Sequence, residues 1–423
     1  MTTSMRQSKL FTKTRKEAPA DEVSKNAELL IKAGYIHKEM AGVYNYLPLG
    51  LRVINKIVQI IRDEMDAIGG QEIVMSSLQE RSTWEPTDQW SDENVDIWFK
   101  TKLKNDTELG LAWSHEGAVT KILKEFVSSY RDLPKALYQF QNKFRNETRA
   151  KSGIMRTREF VMKDMYSFSK DQAEHDAFYK EATEAYKNVF KRVGIGHVTY
   201  LTSASGGVFA KFSHEFQTLT SAGEDTIYVD QSSGVAINKE VFTDDVIEGL
   251  GLQKDKLVEE RAAEVGNIFT LGTRYTKAHH FTYKNEKGED QEIIMGCYGI
   301  GPGRLMGTVV ETLSDDKGII WPEAIAPFAV HLLVLGEDVA VREEAEKTFK
   351  ALADAGVEVL FDDRSEVTPG EKFADADLLG MPYRGVVSAR SMKEGGVELK
   401  KRIEEKGKIV SVEELINLLR AKN

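Results

Sequence analysis

Arg145, Glu147, Arg156 and Phe160 carry the first chemical signal in the chain, within the stretch KFRNETRAKSGIMRTREFVMKDMYSF at Lys143–Phe168. The stretch follows the alternating Tyr138-Gln139-Phe140-Gln141, crosses a polar, arginine-rich loop at Lys151-Ser152-Gly153, and resumes at Arg156-Thr157-Arg158-Glu159-Phe160. Alternation on both sides of a glycine-containing polar loop predicts an antiparallel hairpin. Arg145-X-Glu147 on one strand then faces Arg156, Phe160 and Asp164 on the other. Such a set suits a nucleotide. Arginine holds a phosphate through two parallel hydrogen bonds, glutamate accepts from an adenine amino group, and a phenylalanine face covers a base.

Two further stretches add to it. Trp113-Ser114-His115-Glu116-Gly117 precedes a helical stretch at 118–130. A serine and an acid there cap the helix, or hold a carboxylate at a loop edge to meet an amino group. Gly299-Ile300-Gly301-Pro302-Gly303-Arg304 leads into the apolar Leu305–Val310. Its glycines allow a close approach to the backbone, and an arginine at a helix start favours an anion.

Around these stretches the spacing predicts the supporting elements. A helix is expected over 21–40, and a second through Leu51, Ile54, Val58, Ile61, Met65 and Ile68, stopped by Gly69-Gly70. A strand follows at Ile73–Met75, and Trp84, Trp90 and Trp98 sit in a polar segment of turns. A helix spans 171–193, with strands at His197–Leu201 and Thr226–Asp230, and His214 between them reads as a satisfied core histidine or a ligand contact. Residues 239–264 read as charged and helical, and strands follow at Gly266–Leu271 and Glu292–Cys297. Beyond the proline-bracketed linker Ile320–Pro327, strands and helices alternate as in a small α/β domain.

A length of 423 residues suggests two or three domains, and 41% hydrophobic with 29% charged residues fits a soluble globular protein. The single cysteine, Cys297, excludes a disulfide or a cysteine zinc site within one chain and suits a reducing compartment. No apolar run approaches the ~18 residues that span a membrane, and no signal peptide is read at the N-terminus. A net charge of -10 argues against indiscriminate nucleic-acid coating, while leaving room for a local RNA-binding face.

Taken together, the stretches resemble one family. Arg145-Asn146-Glu147 with Arg156 to Phe160 and Asp164 is similar to motif 2 of class II aminoacyl-tRNA synthetases, Gly299 to Arg304 to motif 3, and the helix at 51–68 with the strand at 73–75 stands where motif 1 belongs. The wider wording, from Ala41–Gly50 through Met155–Asp164, Ser213-His214-Glu215-Phe216 and Met295–Gly301 to Trp321–Pro327, resembles bacterial-type prolyl-tRNA synthetases in a short form without the editing insertion. The resemblance implies an α+β catalytic domain, a six- or seven-stranded antiparallel sheet flanked by helices, over 1–326, and a small α/β anticodon-binding domain over 327–423. A short helical insertion near 235–264 stands in place of an editing domain. It implies a cytoplasmic homodimer that uses ATP with Mg²⁺, activates L-proline and charges tRNA(Pro), with no zinc and neither membrane nor DNA as partner.

Carried over residue by residue, the resemblance makes Arg145 and Arg304 catalytic. Arg145 holds the α-phosphate and the substrate carboxylate, Glu147 meets the adenine amino group, Arg156 serves the outer phosphates, and Phe160 and Arg304 sandwich the adenine. Ser114 and Glu116 receive the proline amine, while Met162 and His214 wall its ring. Arg364, Glu366 and Phe373 read the anticodon. The chain departs from the family pattern at Ser76, where a proline is usual, at Ser114 and Gly117, where a threonine and a second acid are usual, and at Val208–Phe212. A non-catalytic paralogue that binds tRNA or a protein partner is the alternative; retention of Arg145 and Arg304 ranks it lower.

Overall fold

The computed structural model describes residues 4–148, 150, 152–205 and 212–420. They divide into two compact units. One holds Met40–Tyr44 and Val58–Thr308, and the other the described residues through Glu39 with Asn45–Ile57 and Val309 onward.

The first unit is built on nine strands in the order Phe212–Leu219, Thr199–Ser205, Val235–Asn238, Asp225–Asp230, Val258–Gly272, Ile294–Ile300, Glu159–Ser169, Lys135–Phe144 and Gln71–Glu72. Val258–Gly272 also pairs with Phe212–Leu219, which closes the first five strands into a ring. The sheet is thus larger than the six or seven strands expected. It includes two parallel pairings, Thr199–Ser205 with Val235–Asn238 and Gln71–Glu72 with Lys135–Phe144. The helix Gln172–Arg192 buries Ala182, Ala185, Tyr186, Val189 and Phe190, and the Asp171 side chain caps its start by accepting from Glu174 N at 2.9 Å.

Several expectations change. The stretch 239–264 is helical at Asp244–Gly249 and then becomes the strand Val258–Gly272. Glu259, Glu260 and Arg261 mask a run whose Ala262, Ala263, Val265 and Ile268 are buried between neighbouring strands. The helix expected over 21–40 is Lys25–Lys32, because Gly34 turns the chain at φ 72°, and Ile36–Met40 is a strand. Trp84, Trp90 and Trp98 lie in the core with Trp113, at ring separations of 5.1–6.0 Å. Of the departing stretch at 208–212, Val208–Lys211 lies outside the described residues.

The second unit carries a six-stranded sheet ordered Met5–Arg6, Val359–Asp362, Val330–Leu335, Tyr383–Ser388, Val397–Lys401 and Lys408–Val410. The first four strands run parallel. Helices Val339–Asp354 and Val412–Arg420 pack Val341, Leu352, Leu415 and Leu419 into its core. The expected single boundary at 326 does not match this division. Met5–Arg6 is a strand of the C-terminal sheet, and Tyr35 donates to Leu379 O at 2.7 Å while accepting from Trp321 Nε1 at 2.9 Å.

Candidate active site

The expected hairpin forms from Lys135–Phe144 and Glu159–Ser169, antiparallel with Gln139 opposite Asp164. Arg145 and Glu147 fall just past the first strand and Arg156 just before the second, so they project from the connecting loop rather than from the strands themselves. Ile294–Ile300 pairs with the other edge of Glu159–Ser169. It runs into a helix beginning at Pro302, which puts Arg304 in the first turn. Ser114, Glu116, Arg145, Glu147, Arg156, Phe160, Met162 and Arg304 line one cavity of about 290 Å³. The two arginine-bearing elements therefore share one space.

Each arginine is held by acids or rings. The Arg145 guanidinium carbon lies 5.3 Å from the Phe160 ring centre, and its Nε points to Trp113 O at 3.4 Å. Burial lowers the Arg145 pKa, while Glu147, Glu264 and Glu116 push it back up. Phe160, expected to cover one face of an adenine, carries the Arg145 guanidinium near its ring. Arg156 bridges Glu147 at 3.0 Å and Glu224 at 2.7 Å. Arg304 Nη1 lies 3.2 Å from Glu264 Oε2, and its buried Nε has no hydrogen-bond partner among the described residues. An oriented donor without an acceptor, beside two other guanidinium groups, is a site for an anion.

The opposite end is built for a cation. Glu116 opens the helix Glu116–Lys124 and is 1% exposed. Its Oε1 lies 3.6 Å from Cys297 Sγ, and its buried Oε2 lacks a partner among the described residues. Burial raises the Glu116 pKa, and the nearby Ser114 side chain opposes the rise. A buried carboxylate oxygen with no donor is stabilised when an ammonium arrives. Asp164 lies below, accepting from Lys143 Nζ at 2.7 Å, and from Gln139 Nε2 and Tyr166 Oη at 2.9 Å.

The loop that carries Ser114 and Glu116 is fastened from behind. Gln79 Nε2 donates to Ser114 O at 3.0 Å, while its Oε1 accepts from Trp84 Nε1 at 2.8 Å. His115 Nε2 meets Ser76 O at 3.0 Å. At Gly117 a Cβ would stand 2.9 Å from Thr83 O, which leaves no room for the acid usual in the resembled family.

His214 is not part of this cavity. It lines a separate hollow together with Ser213 and Tyr179, its Nδ1 2.7 Å from Tyr179 Oη. In the second unit Arg364 and Glu366 line a cavity of about 440 Å³. Arg364 forks onto the buried Asp362 at 2.8 and 2.7 Å and reaches Asp375 at 2.9 Å, so its donors serve the fold. Phe373 lies under the Arg384 guanidinium at 4.5 Å and packs beside Leu333, Ala376 and Val386, away from that cavity. Glu264, Asn267 and Cys297 also line the first cavity, and the charged opening of the strand Val258–Gly272, which carries the first two, hides them behind a helical pattern.

Two family models match the chain, "tRNA synthetase class II core domain (G, H, P, S and T)" over residues 99–313 and "Anticodon binding domain" over 329–422. Proline–tRNA ligase of Zymomonas mobilis is 36% identical over 441 residues, covering 99% of both chains. That of Maricaulis maris is 35% identical, covering 94% of each. The alignment with proline–tRNA ligase of a Geobacillus species, at 31% identity, extends over 566 residues, so that relative carries sequence this chain lacks. The fold is similar to Giardia lamblia prolyl-tRNA synthetase in complex with prolyl-adenylate, with a TM-score of 0.76 and 17% identity over 93% of this chain and 78% of that one. With its class II core, its anticodon-binding domain and its full-length likeness to these relatives, the chain belongs to the proline–tRNA ligase family.

Proposed function

We propose that the cavity joins L-proline to ATP as prolyl-adenylate and passes the prolyl group to tRNA(Pro). The observation that carries this is the pairing of a buried, half-partnered carboxylate at Glu116 with Arg145 and Arg304 in one cavity. The secondary ammonium of proline docks on Glu116 Oε2, with Ser114 and Met162 beside it. The proline carboxylate is already ionised at pH 7, so its attack on the α-phosphorus needs no general base. An oxygen–phosphorus bond forms, the bond to the bridging oxygen breaks, and pyrophosphate leaves. Arg145 aligns and neutralises the reacting groups, Arg156 and Arg304 take the outer phosphates, Glu147 accepts from the adenine amino group, and Phe160 covers the base. A ribose hydroxyl at the tRNA terminus then attacks the acyl carbon and AMP departs.

Mg²⁺ is expected to travel with ATP. Among the described residues no cluster of three acids, histidines or cysteines stands ready for a metal, and Mg²⁺ commonly takes one or two carboxylates plus phosphate oxygens. Glu224, Asp225 and Glu264 line the cavity and fit that role. When bound, the ion offsets phosphate charge.

Residues 327–423 read the anticodon, with Glu366 at their cavity. The chain works as a homodimer, which the exposed Val74 and Leu78 on either side of Ser76 support. Cytoplasmic residence fits the finding that no described helix is long and apolar enough to cross a membrane. Cis editing is absent. Asp225 to Gly296 is taken up largely by strands of the catalytic sheet and short connecting pieces, which supports this. Pyrophosphate exchange across the amino acids tests the reading. Proline-dependent exchange is expected; silence with proline, or a stronger response to another amino acid, overturns it.

A further inference from the structure

Ser4–Thr14 are built into the unit that holds the anticodon-binding match. Met5 and Arg6 pair in parallel with Leu360 and Phe361 and form the edge of the six-stranded sheet. Ser4 Oγ donates to Val357 O at 3.0 Å and accepts from Val359 N at 3.2 Å. Gln7 Oε1 and His331 Nε2, both buried, lie 2.7 Å apart. Arg6 grips Glu346 through two parallel bonds of 2.6 and 2.7 Å and reaches Asp363 at 3.3 Å. Ser8 gives Asp363 both its backbone N–H, at 3.1 Å, and its hydroxyl, at 2.9 Å. Thr14 Oγ1 donates to Asp375 at 2.7 Å, and the other oxygen of Asp375 accepts from Arg364.

These partners are not scattered. Glu346, Asp363 and Arg364 line the same 440 Å³ cavity as Glu366. No described residue through Thr14 lines the cavity, but Arg6 and Ser8 hold Glu346 and Asp363 in its wall. They also set its charge: without Arg6, Glu346 and Asp363 become two carboxylates short of a cation on a surface that must receive a polyanion, and each raises the repulsion of RNA.

We propose that Ser4–Thr14 is an arm of the tRNA-reading unit, in which Arg6 and Ser8 are positioning residues that set the Asp363–Thr368 loop and neutralise its acids for the anticodon. This rests on the reading of that unit as anticodon-binding. The test uses the full chain with Arg6→Ala and Ser8→Ala together. Proline-dependent pyrophosphate exchange without tRNA stays within about twofold of the parent, because the side-chain partners of Arg6 and Ser8, Glu346 and Asp363, do not line the active-site cavity. The kcat/KM for tRNA(Pro) falls roughly tenfold through KM, and the preference for tRNA(Pro) over the same tRNA with substituted anticodon bases shrinks by about fivefold or more. Arg6→Lys, which keeps the charge and loses the fork, recovers part of the loss. A preference ratio unchanged in the double variant overturns the proposal, and so does a parallel fall in pyrophosphate exchange. If the parent itself shows no preference between the two tRNAs, the anticodon reading fails, and the inference with it.

Discussion

Glu116 has one oxygen beside the Cys297 thiol and the other buried without a partner among the described residues, so the proposed amine contact falls on a single atom. Glu116→Gln keeps the shape and removes the charge. It should cost roughly 2–4 kcal/mol of ammonium binding, about 30- to 700-fold in kcat/KM for proline, with the KM for ATP little changed. Pyrophosphate exchange with each substrate varied in turn checks this, and equal loss for both substrates argues against Glu116 as the amine site. Burial raises the Glu116 pKa. The binding form is the carboxylate, so kcat/KM for proline falls on acidification at a pH above the ordinary glutamate range. That limb disappears in the glutamine variant. His214 supplies the contrast. Its ring is tied to Tyr179 in another hollow, so His214→Ala should leave the KM for proline within about twofold. A large rise would return His214 to the proline pocket.

At the scale of elements, the cavity depends on a loop held by a neighbouring small sheet. Gln79, 4% exposed, joins Ser114 O to Trp84 Nε1. Gln79→Leu leaves a buried carbonyl and a buried indole N–H without partners, roughly 1–3 kcal/mol each. Urea unfolding should register that loss, and the KM for proline should rise while that for ATP holds, because Arg156 and Arg304 hang on other elements. An unchanged proline KM in a destabilised variant would reduce Gln79 to a packing role. Much of this architecture was legible in the chain. The hairpin announced itself by alternation around a polar loop, and its arginines by type. Gln79 was not legible, since its role depends on a contact across strands distant in sequence. The tryptophans sit in a segment whose polar neighbours spell turns, yet the three rings fill the core around Trp113. The strand carrying Glu264 and Asn267 was hidden by its charged opening, where tertiary pairing overrode local pattern.

For the whole molecule, the compactness of the catalytic unit has a consequence for fidelity. A pocket that judges proline by ring size rejects a smaller apolar amino acid by only roughly 1–3 kcal/mol per methylene. With the segment between Asp225 and Gly296 committed largely to core strands, alanine should be activated slowly and alanyl-tRNA(Pro) should persist in a purified assay; its rapid hydrolysis by the chain alone would show a second site. Acid stability follows from both units. His115 in one and His331 in the other are buried, and burial holds both at about 4. Lys143 adds to the depression of His115 against Asp164, and Arg364, Arg384 and Lys372 add to that of His331 against Asp362. Unfolded histidine takes its proton near 6.5, so between about 6.5 and about 4 the unfolded chain binds more protons than the folded one. Stability therefore falls as pH drops through that window, by on the order of 3 kcal/mol for each histidine, and the loss from these groups stops below it. His331→Gln and His115→Gln remove the titration while keeping a polar group at each position. Urea unfolding at a series of pH values should show each variant losing less stability than the parent between neutrality and pH about 4.5. Parallel curves for parent and variants would mean that acid acts through other groups, with Asp315, held low by its hydrogen bond with Arg402, next to examine.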